Sequence, residues 1–482
     1  MCPADVPPNH GAGLIHPPPI PPAFRGRVHV ADDAAERASR VSGPFQCTPT
    51  AFVVPEDRES LCGLLEWAWR EGVPVIPRGA GTGMPGGNLG PALVVEIGEA
   101  FAEVSPLTDS YTLRVGAGAI AAEADRIARL DGYHLPFLPS SAPWCTLGGV
   151  VANNGAGARS FRHGAVARSV RAIEGIFAWG EPFRVEVGHT DPEPFTALRN
   201  QLLPIGEKIG RDWPDVRKNS SGYALDRFLP SGSAVQLLCG SEGTLAFITR
   251  VEVHALPVPV ARGLVVLPAR SREELVTLAL EAEHHGAVTC EFLGRRFLDI
   301  AGLDHDPRVG HLSRDAFALV LLDVEGSDEA VQAAIEAIQS LGDRVGERGV
   351  AARSPDEVAH LWKIRHAASP MIARQAKRGL VSTQFIEDSV VPPASLGDYL
   401  EGLDRILREH RFDAIVFGHA GDGNVHVNPL VDVGTDDWER RVRATLADVA
   451  GLVRTLGGTL AGEHGDGRLR APLLPEIWHP VQ

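Results

Sequence analysis

Apolar residues in the first half of the chain come in short runs separated by glycine and proline, most of them too short for helices. Residues 51–55, 73–76, 93–97 and 111–115 read as strands bounded by turn residues. Two longer stretches read as helices: 60–71, closed by Gly72, and 121–130. Further strands are expected at 170–177, 182–187 and 246–253. A proline-punctuated segment, 256–260, marks the expected boundary between two units. Beyond it, strands at 264–267 and 316–322 alternate with helices at 271–285 and 328–341. That alternation predicts an α+β unit whose single sheet is covered on one side. Residues 413–417 read as a strand and 438–456 as a helix, while the proline-rich residues 1–24 read as an extended or flexible lead.

Length and charge narrow the function. A chain of 482 residues suits two or three domains. A net charge of -15 leaves no basic surplus for a phosphate backbone, which excludes a general nucleic-acid binder. A small anionic substrate is still compatible, because a local arginine or histidine cluster can oppose the global sign. The six cysteines are isolated and show neither iron–sulfur nor zinc spacing, in keeping with a reducing compartment. No run approaches the ~20 apolar residues of a membrane span. The expected location is the cytoplasm, with peripheral membrane attachment still open.

The chemistry sits among glycines. Arg78-Gly79-Ala80-Gly81-Thr82-Gly83 follows a strand and offers a nest of backbone donors that a pyrophosphate can approach. It is neither a Rossmann fingerprint, since Pro85 interrupts the expected helix, nor a Walker loop. A second glycine-rich region covers 147–164, and 218–223 and 240–245 add two more special stretches. Together they indicate a domain wrapped around an elongated cofactor. Downstream, Gly418-His419-Ala420-Gly421-Asp422-Gly423-Asn424-Val425-His426-Val427-Asn428 is echoed by Gly462-Glu463-His464-Gly465-Asp466-Gly467. The Asp422-Gly423-Asn424 turn folds His419 back toward His426. His419, His426 and Glu463 then offer three ligands to a divalent ion with a position left open, and His464 is the base beside it.

From Arg25 to Arg468 these stretches resemble the vanillyl-alcohol oxidase/PCMH flavoprotein superfamily, in its D-lactate, glycolate and D-2-hydroxyglutarate dehydrogenase branch. The resemblance implies an α+β fold with a PCMH-type two-subdomain FAD-binding domain, residues 25–256. An α+β cap with an antiparallel sheet, 257–455, follows, and a shortened segment, 456–482, returns to the flavin. It places Arg78, Gly79, Ala80, Gly81, Thr82, Gly83, Gly87 and Asn88 on the FAD diphosphate. Pro139, Ser140, Ser141, Thr146, Gly148, Gly149, Asn153 and Gly157 fall along the isoalloxazine and ribityl path. Gly243, Thr244 and Ile248 complete the adenine or diphosphate side. Thr82 and Cys145 stand near where some members attach flavin through histidine, so FAD is expected to be noncovalent. Metal-ligand roles fall on His419, His426 and Glu463, for Zn, Mn or Fe. The base role falls on His464, a substrate-carboxylate role on Arg365 and a substrate-end role on Asn428, with Glu387-Asp388 close by.

The activity implied is oxidation of a D-2-hydroxy acid to the 2-oxo acid, by metal-assisted hydroxyl deprotonation and hydride transfer to flavin N5. D-lactate is favoured, with D-2-hydroxyglutarate or glycolate as alternatives. An alkylglycerone-phosphate synthase-like flavoenzyme and a noncatalytic flavin-binding subunit of an electron-transfer complex are the other readings. The expected partners are an external acceptor (a quinone, a cytochrome or an electron-transfer flavoprotein) and an iron–sulfur subunit.

Overall fold

The computed structural model describes residues 20–375 and 379–478; the first nineteen residues of the proline-rich lead lie outside them. Three larger sheets organise the chain. Strands β1 (Gly26–His29), β2 (Ala51–Pro55), β3 (Val75–Arg78) and β4 (Leu93–Glu96) form the first, in the order β1-β2-β4-β3. Both β2 and β3 run parallel to β4. The helix Arg58–Glu71 makes the β2–β3 crossover. Asp57 caps its start by accepting the Ser60 N–H, and Gly72 ends it in the left-handed conformation at φ 67°.

The second sheet is antiparallel, with β5 (Thr112–Gly116), β7 (Val170–Ile176), β8 (Pro182–Glu186) and β9 (Phe247–His254) in the order β5-β9-β7-β8. It shares one hydrophobic core with the first sheet, joining Val53, Leu65 and Leu93 to Val115, Ile173 and Val251. The short strand β6 (Tyr133–His134) pairs with β10 (Leu256–Pro257). Within the second glycine-rich region lies a short helix, Leu147–Ala152, whose N-cap Thr146 accepts the Gly149 N–H.

The third sheet comprises β11 (Ala261–Ala269), β12 (Glu291–Gly294), β13 (Ala318–Gly326), β14 (Val350–Ala352), β15 (Leu380–Ser382), β16 (Ser389–Val390), β17 (Asp413–His419) and β18 (Asn424–Asp432). Its order is β14-β11-β13-β12-β17-β18-β15, with β16 also on β18, and every pairing is antiparallel.

Its coverage differs from the expectation of one protected face. Val265, Leu267, Val320 and Leu322 enter one core with the helices Arg272–Glu281, Asp328–Arg344, Leu396–Glu409 and Trp438–Thr455. Their neighbours Leu264, Val266, Leu319 and Leu321 enter another core on the opposite face, with Phe297, Leu298, Val358 and Leu361. Consecutive apolar residues, rather than alternating ones, are what a strand buried on both faces requires. The β17–β18 turn reaches the flavin-loop half of the molecule. A Cβ on Gly421 would lie 2.4 Å from the Phe161 ring, so only glycine fits that approach. No helix among the described residues is long and apolar enough to cross a membrane.

Candidate active site

The hairpin does what its turn residues predict. Gly423, at φ 66°, closes the turn after Asp422, and His419 pairs with Asn424 while Phe417 pairs with His426. The His419 and His426 rings come within 5.1 Å, centroid to centroid. Glu463 arrives on the return segment with Oε1 at 3.2 Å from His419 Nε2 and 3.4 Å from His426 Nε2. The three ligand atoms lie within 4.8 Å of one another, and all three residues are buried. His464 stacks on His426 at 5.5 Å and brings Nε2 to 3.7 Å from the same Glu463 oxygen.

Behind these rings stand carboxylates. Glu387 accepts a hydrogen bond from His464 Nδ1 at 2.6 Å, and its other oxygen lies 2.8 Å from His426 Nδ1. Glu291 accepts from His419 Nδ1 with one oxygen and from Arg365 Nε, at 2.9 Å, with the other. Arg365 also lies over the Phe417 ring at 4.5 Å. Lys218 is buried and donates to Glu463 Oε2 at 2.8 Å, with Asp422 3.3 Å away. Asp388 accepts the backbone N–H groups of Gly462, Glu463 and His464 at 2.9–3.0 Å.

This network sets the charges. Burial would raise Glu291, but His419 and Arg365 hold it at about 2. Burial likewise opposes ionisation of Glu387 and Glu463; His464 and His426 hold the first, and Lys218 and His419 the second, well below the usual carboxylate range. Burial disfavours charged imidazoles, yet Glu291 raises His419 to about 9, and Glu387 with Asp388 raises His464 to about 10. Burial also opposes the Lys218 charge, and Glu463 and Asp422 outweigh it. Protons therefore occupy imidazoles around a fixed carboxylate when no metal is present. Two neutralised imidazoles and a carboxylate are a donor set that suits a divalent cation.

A cavity of about 1460 Å³ runs from the glycine loops to this cluster. That exceeds the ~300–1,000 Å³ of an ordinary small-molecule pocket, leaving space for an extended cofactor and a substrate together. Every cofactor, catalytic and metal residue expected from the sequence lines it except Thr244. Thr244 instead donates to the Ser241 carbonyl at 2.6 Å and meets the Tyr223 hydroxyl at 2.7 Å, closing its own turn. Arg78 braces its loop, donating to the carbonyls of Arg40 at 2.7 Å and Asn88 at 3.4 Å. The Asn88 side-chain oxygen is shielded from solvent and has no hydrogen-bond partner among the described residues, an acceptor that a cofactor's donor would fit.

Sequence reasoning missed Glu291 and the ion-pairing role of Lys218. Glu291 had a local signal, an acid inside the apolar run Cys290-Glu291-Phe292-Leu293. Lys218 had none beyond its place in a special loop.

Fold and site together define a flavin-dependent oxidoreductase. Residues 49–186 match the model of an FAD binding domain, and residues 258–482 match that of the C-terminal domain of FAD linked oxidases. The chain belongs to this family of FAD-linked oxidases. It is 29% identical over 431 residues to D-lactate dehydrogenase of Archaeoglobus fulgidus, covering 89% of this chain and 85% of that one. It is 26% identical to glycolate oxidase subunit GlcD of Bacillus subtilis, covering 92% and 91%. Its fold matches 4-ethylphenol oxidase from Gulosibacter chungangensis with a TM-score of 0.65 at 13% identity, covering 93% and 87%.

Proposed function

We propose that this chain oxidises a D-2-hydroxy acid to the 2-oxo acid, with D-lactate the favoured substrate and FAD held noncovalently. The observation that carries this reading is the convergence of three imidazole Nε2 atoms on Glu463 Oε1 inside a cavity lined by the glycine loops. His419, His426 and Glu463 would hold the divalent ion. When bound, the flavin supplies a two-electron acceptor and the ion a Lewis acid that lowers the pKa of the substrate hydroxyl.

In its neutral form, with the ion in place, His464 would take the hydroxyl proton at Nε2, Glu387 holding its Nδ1–H and stabilising the imidazolium that forms. Arg365 binds the substrate carboxylate, oriented beforehand by Glu291 and by the Phe417 ring beneath it. Asn428, whose side-chain oxygen accepts from Ser382 at 3.4 Å, contacts the substrate end. Phe417, Ile372 and Leu380 line the same cavity, an apolar wall in keeping with a methyl group. The relatives named for D-lactate and glycolate support the substrate class, and the one named as a subunit supports a partner subunit.

The test is anaerobic mixing of metal-analysed, FAD-loaded protein with D-lactate, L-lactate, glycolate and D-2-hydroxyglutarate. Loss of the oxidised-flavin absorbance with D-lactate and not L-lactate is expected. No bleaching by any of the four acids overturns the reading.

A further inference from the structure

Glu463 and His464 lie on the segment 462–469, and every backbone N–H of that segment is bonded to a group outside it. Several of the grips come from the flavin-loop side. Asn153 Nδ2 donates to the His464 carbonyl at 3.0 Å. Glu242 accepts the N–H of Asp466 at 2.7 Å with one oxygen and that of Gly467 at 2.9 Å with the other. The segment is thus held on both sides of Gly465.

The two arms share one base. Asn153 is the C-cap of the helix Leu147–Ala152, and the Glu242 N–H is bonded to the Ala152 carbonyl at 2.8 Å. Glu242 sits in left-handed backbone, φ 50°, which a residue with a side chain adopts only under constraint. Its carboxyl fills the gap between loop and segment. A Cβ on Gly465 would lie 2.8 Å from Glu242 Cδ, and one on Gly87 3.0 Å from Glu242 Oε2. Gly87, Asn153, Glu242, Glu463 and His464 all line the cavity.

We propose that Asn153 and Glu242 are positioning residues, forming a clamp through which an occupied flavin cavity orders Glu463 and His464, so that FAD and the divalent ion bind cooperatively. The proposal rests on the reading of His419, His426 and Glu463 as the ion's ligands. A cofactor seated against Gly87 and the Leu147–Ala152 helix immobilises both arms, and the arms immobilise the backbone on either side of Gly465. Glu463 then meets His419 and His426 with less freedom left to lose. By linkage, the ion tightens FAD by the same factor.

The experiment measures Zn²⁺ dissociation by chelator competition in flavin-free and FAD-saturated protein. FAD is expected to tighten Zn²⁺ at least about fivefold, the lower end of ordinary coupling. Glu242→Gln, which keeps the size but sets an amide N–H against a backbone N–H, brings that ratio close to one. Ser220→Ala removes the hydroxyl that accepts the Gly465 N–H at 3.1 Å from a loop that does not line the cavity. It weakens Zn²⁺ in both forms and preserves the ratio, which separates coupling from general loosening. If Glu242→Gln does not fold, Asn153→Ser removes the other arm and should collapse the ratio likewise. A ratio of one in the unaltered protein, or an undiminished ratio in the clamp variants, overturns the proposal. Zn²⁺ binding that His419→Ala leaves intact overturns instead the ligand reading beneath it.

Discussion

Each imidazole of the site brings Nδ1 within 3 Å of a carboxylate and turns Nε2 toward Glu463. For His464 this division leaves Nε2 as the nitrogen that would accept the substrate's proton in the proposed reaction. His464→Ala should lower kcat by about 10²–10⁴ while metal content stays unchanged, as checked by steady-state kinetics beside metal analysis. His419 carries a pH consequence. Its pKa in the metal-free protein rises from 6.5 to about 9, so its stabilising charge is complete below 6.5 and lost as pH rises through 9. Only the neutral ring ligates. Metal uptake at pH 7.5 should therefore release a proton, measurable by calorimetry in buffers of different ionisation enthalpy, and affinity should climb with pH up to about 9. Glu242 runs the opposite way. Burial, with the nearby Asp466 charge, raises it from 4.5 to about 7, so the metal- and flavin-free protein loses stability as pH rises through that interval. Because Gln does not titrate, the Tm difference between Glu242→Gln and the unaltered protein should move in the variant's favour as pH rises across the same window.

Single elements divide the work. Strand β12 opens with Glu291, which holds His419, a proposed metal ligand, and Arg365, the proposed substrate clamp, on its two oxygens. Glu291→Gln should weaken metal binding about 10–100-fold and raise KM in the same variant, two effects that kinetics and chelator titration read separately. The turn between β16 and the preceding strand places Asp388, at φ 109°, under three consecutive amides of the return segment. Asp388→Ala should cost on the order of 3 kcal/mol in thermal or denaturant unfolding, because three buried donors lose a charged acceptor. What the sequence made legible follows the same division. The glycine loops and the His419–His426 turn depend on residues near one another in the chain, so their chemistry shows locally. The Glu291–His419 and Lys218–Glu463 contacts span 128 and 245 residues, and no local pattern encodes such meetings.

At the scale of the molecule, the cap and the flavin-loop half are fastened by ion pairs. Arg159 meets Glu325 at 2.7 Å, and Arg217 meets Glu283 at 2.8 Å while donating to the Phe161 carbonyl. The alternation of elements made a separate α+β cap legible, but its two-faced burial lay in the unbroken apolar runs of β11 and β13. FAD at a hundredfold excess over its Kd should stabilise the folded protein by about 2.7 kcal/mol, visible as a rise in Tm.

The sharing of Glu291 between His419 and Arg365 reaches further than one residue. On the proposed roles, any change that re-aims the guanidinium toward a differently shaped acid would also disturb the ring that would grip the ion, so that wall of the cavity should resist redesign. The cavity is also lined by Leu380, Val381 and Ser382 of β15, a strand at the margin of its sheet and paired, among the described residues, with β18 alone. Altering which acids fit is therefore easiest along that margin, where side chains can be exchanged without touching proton or electron chemistry.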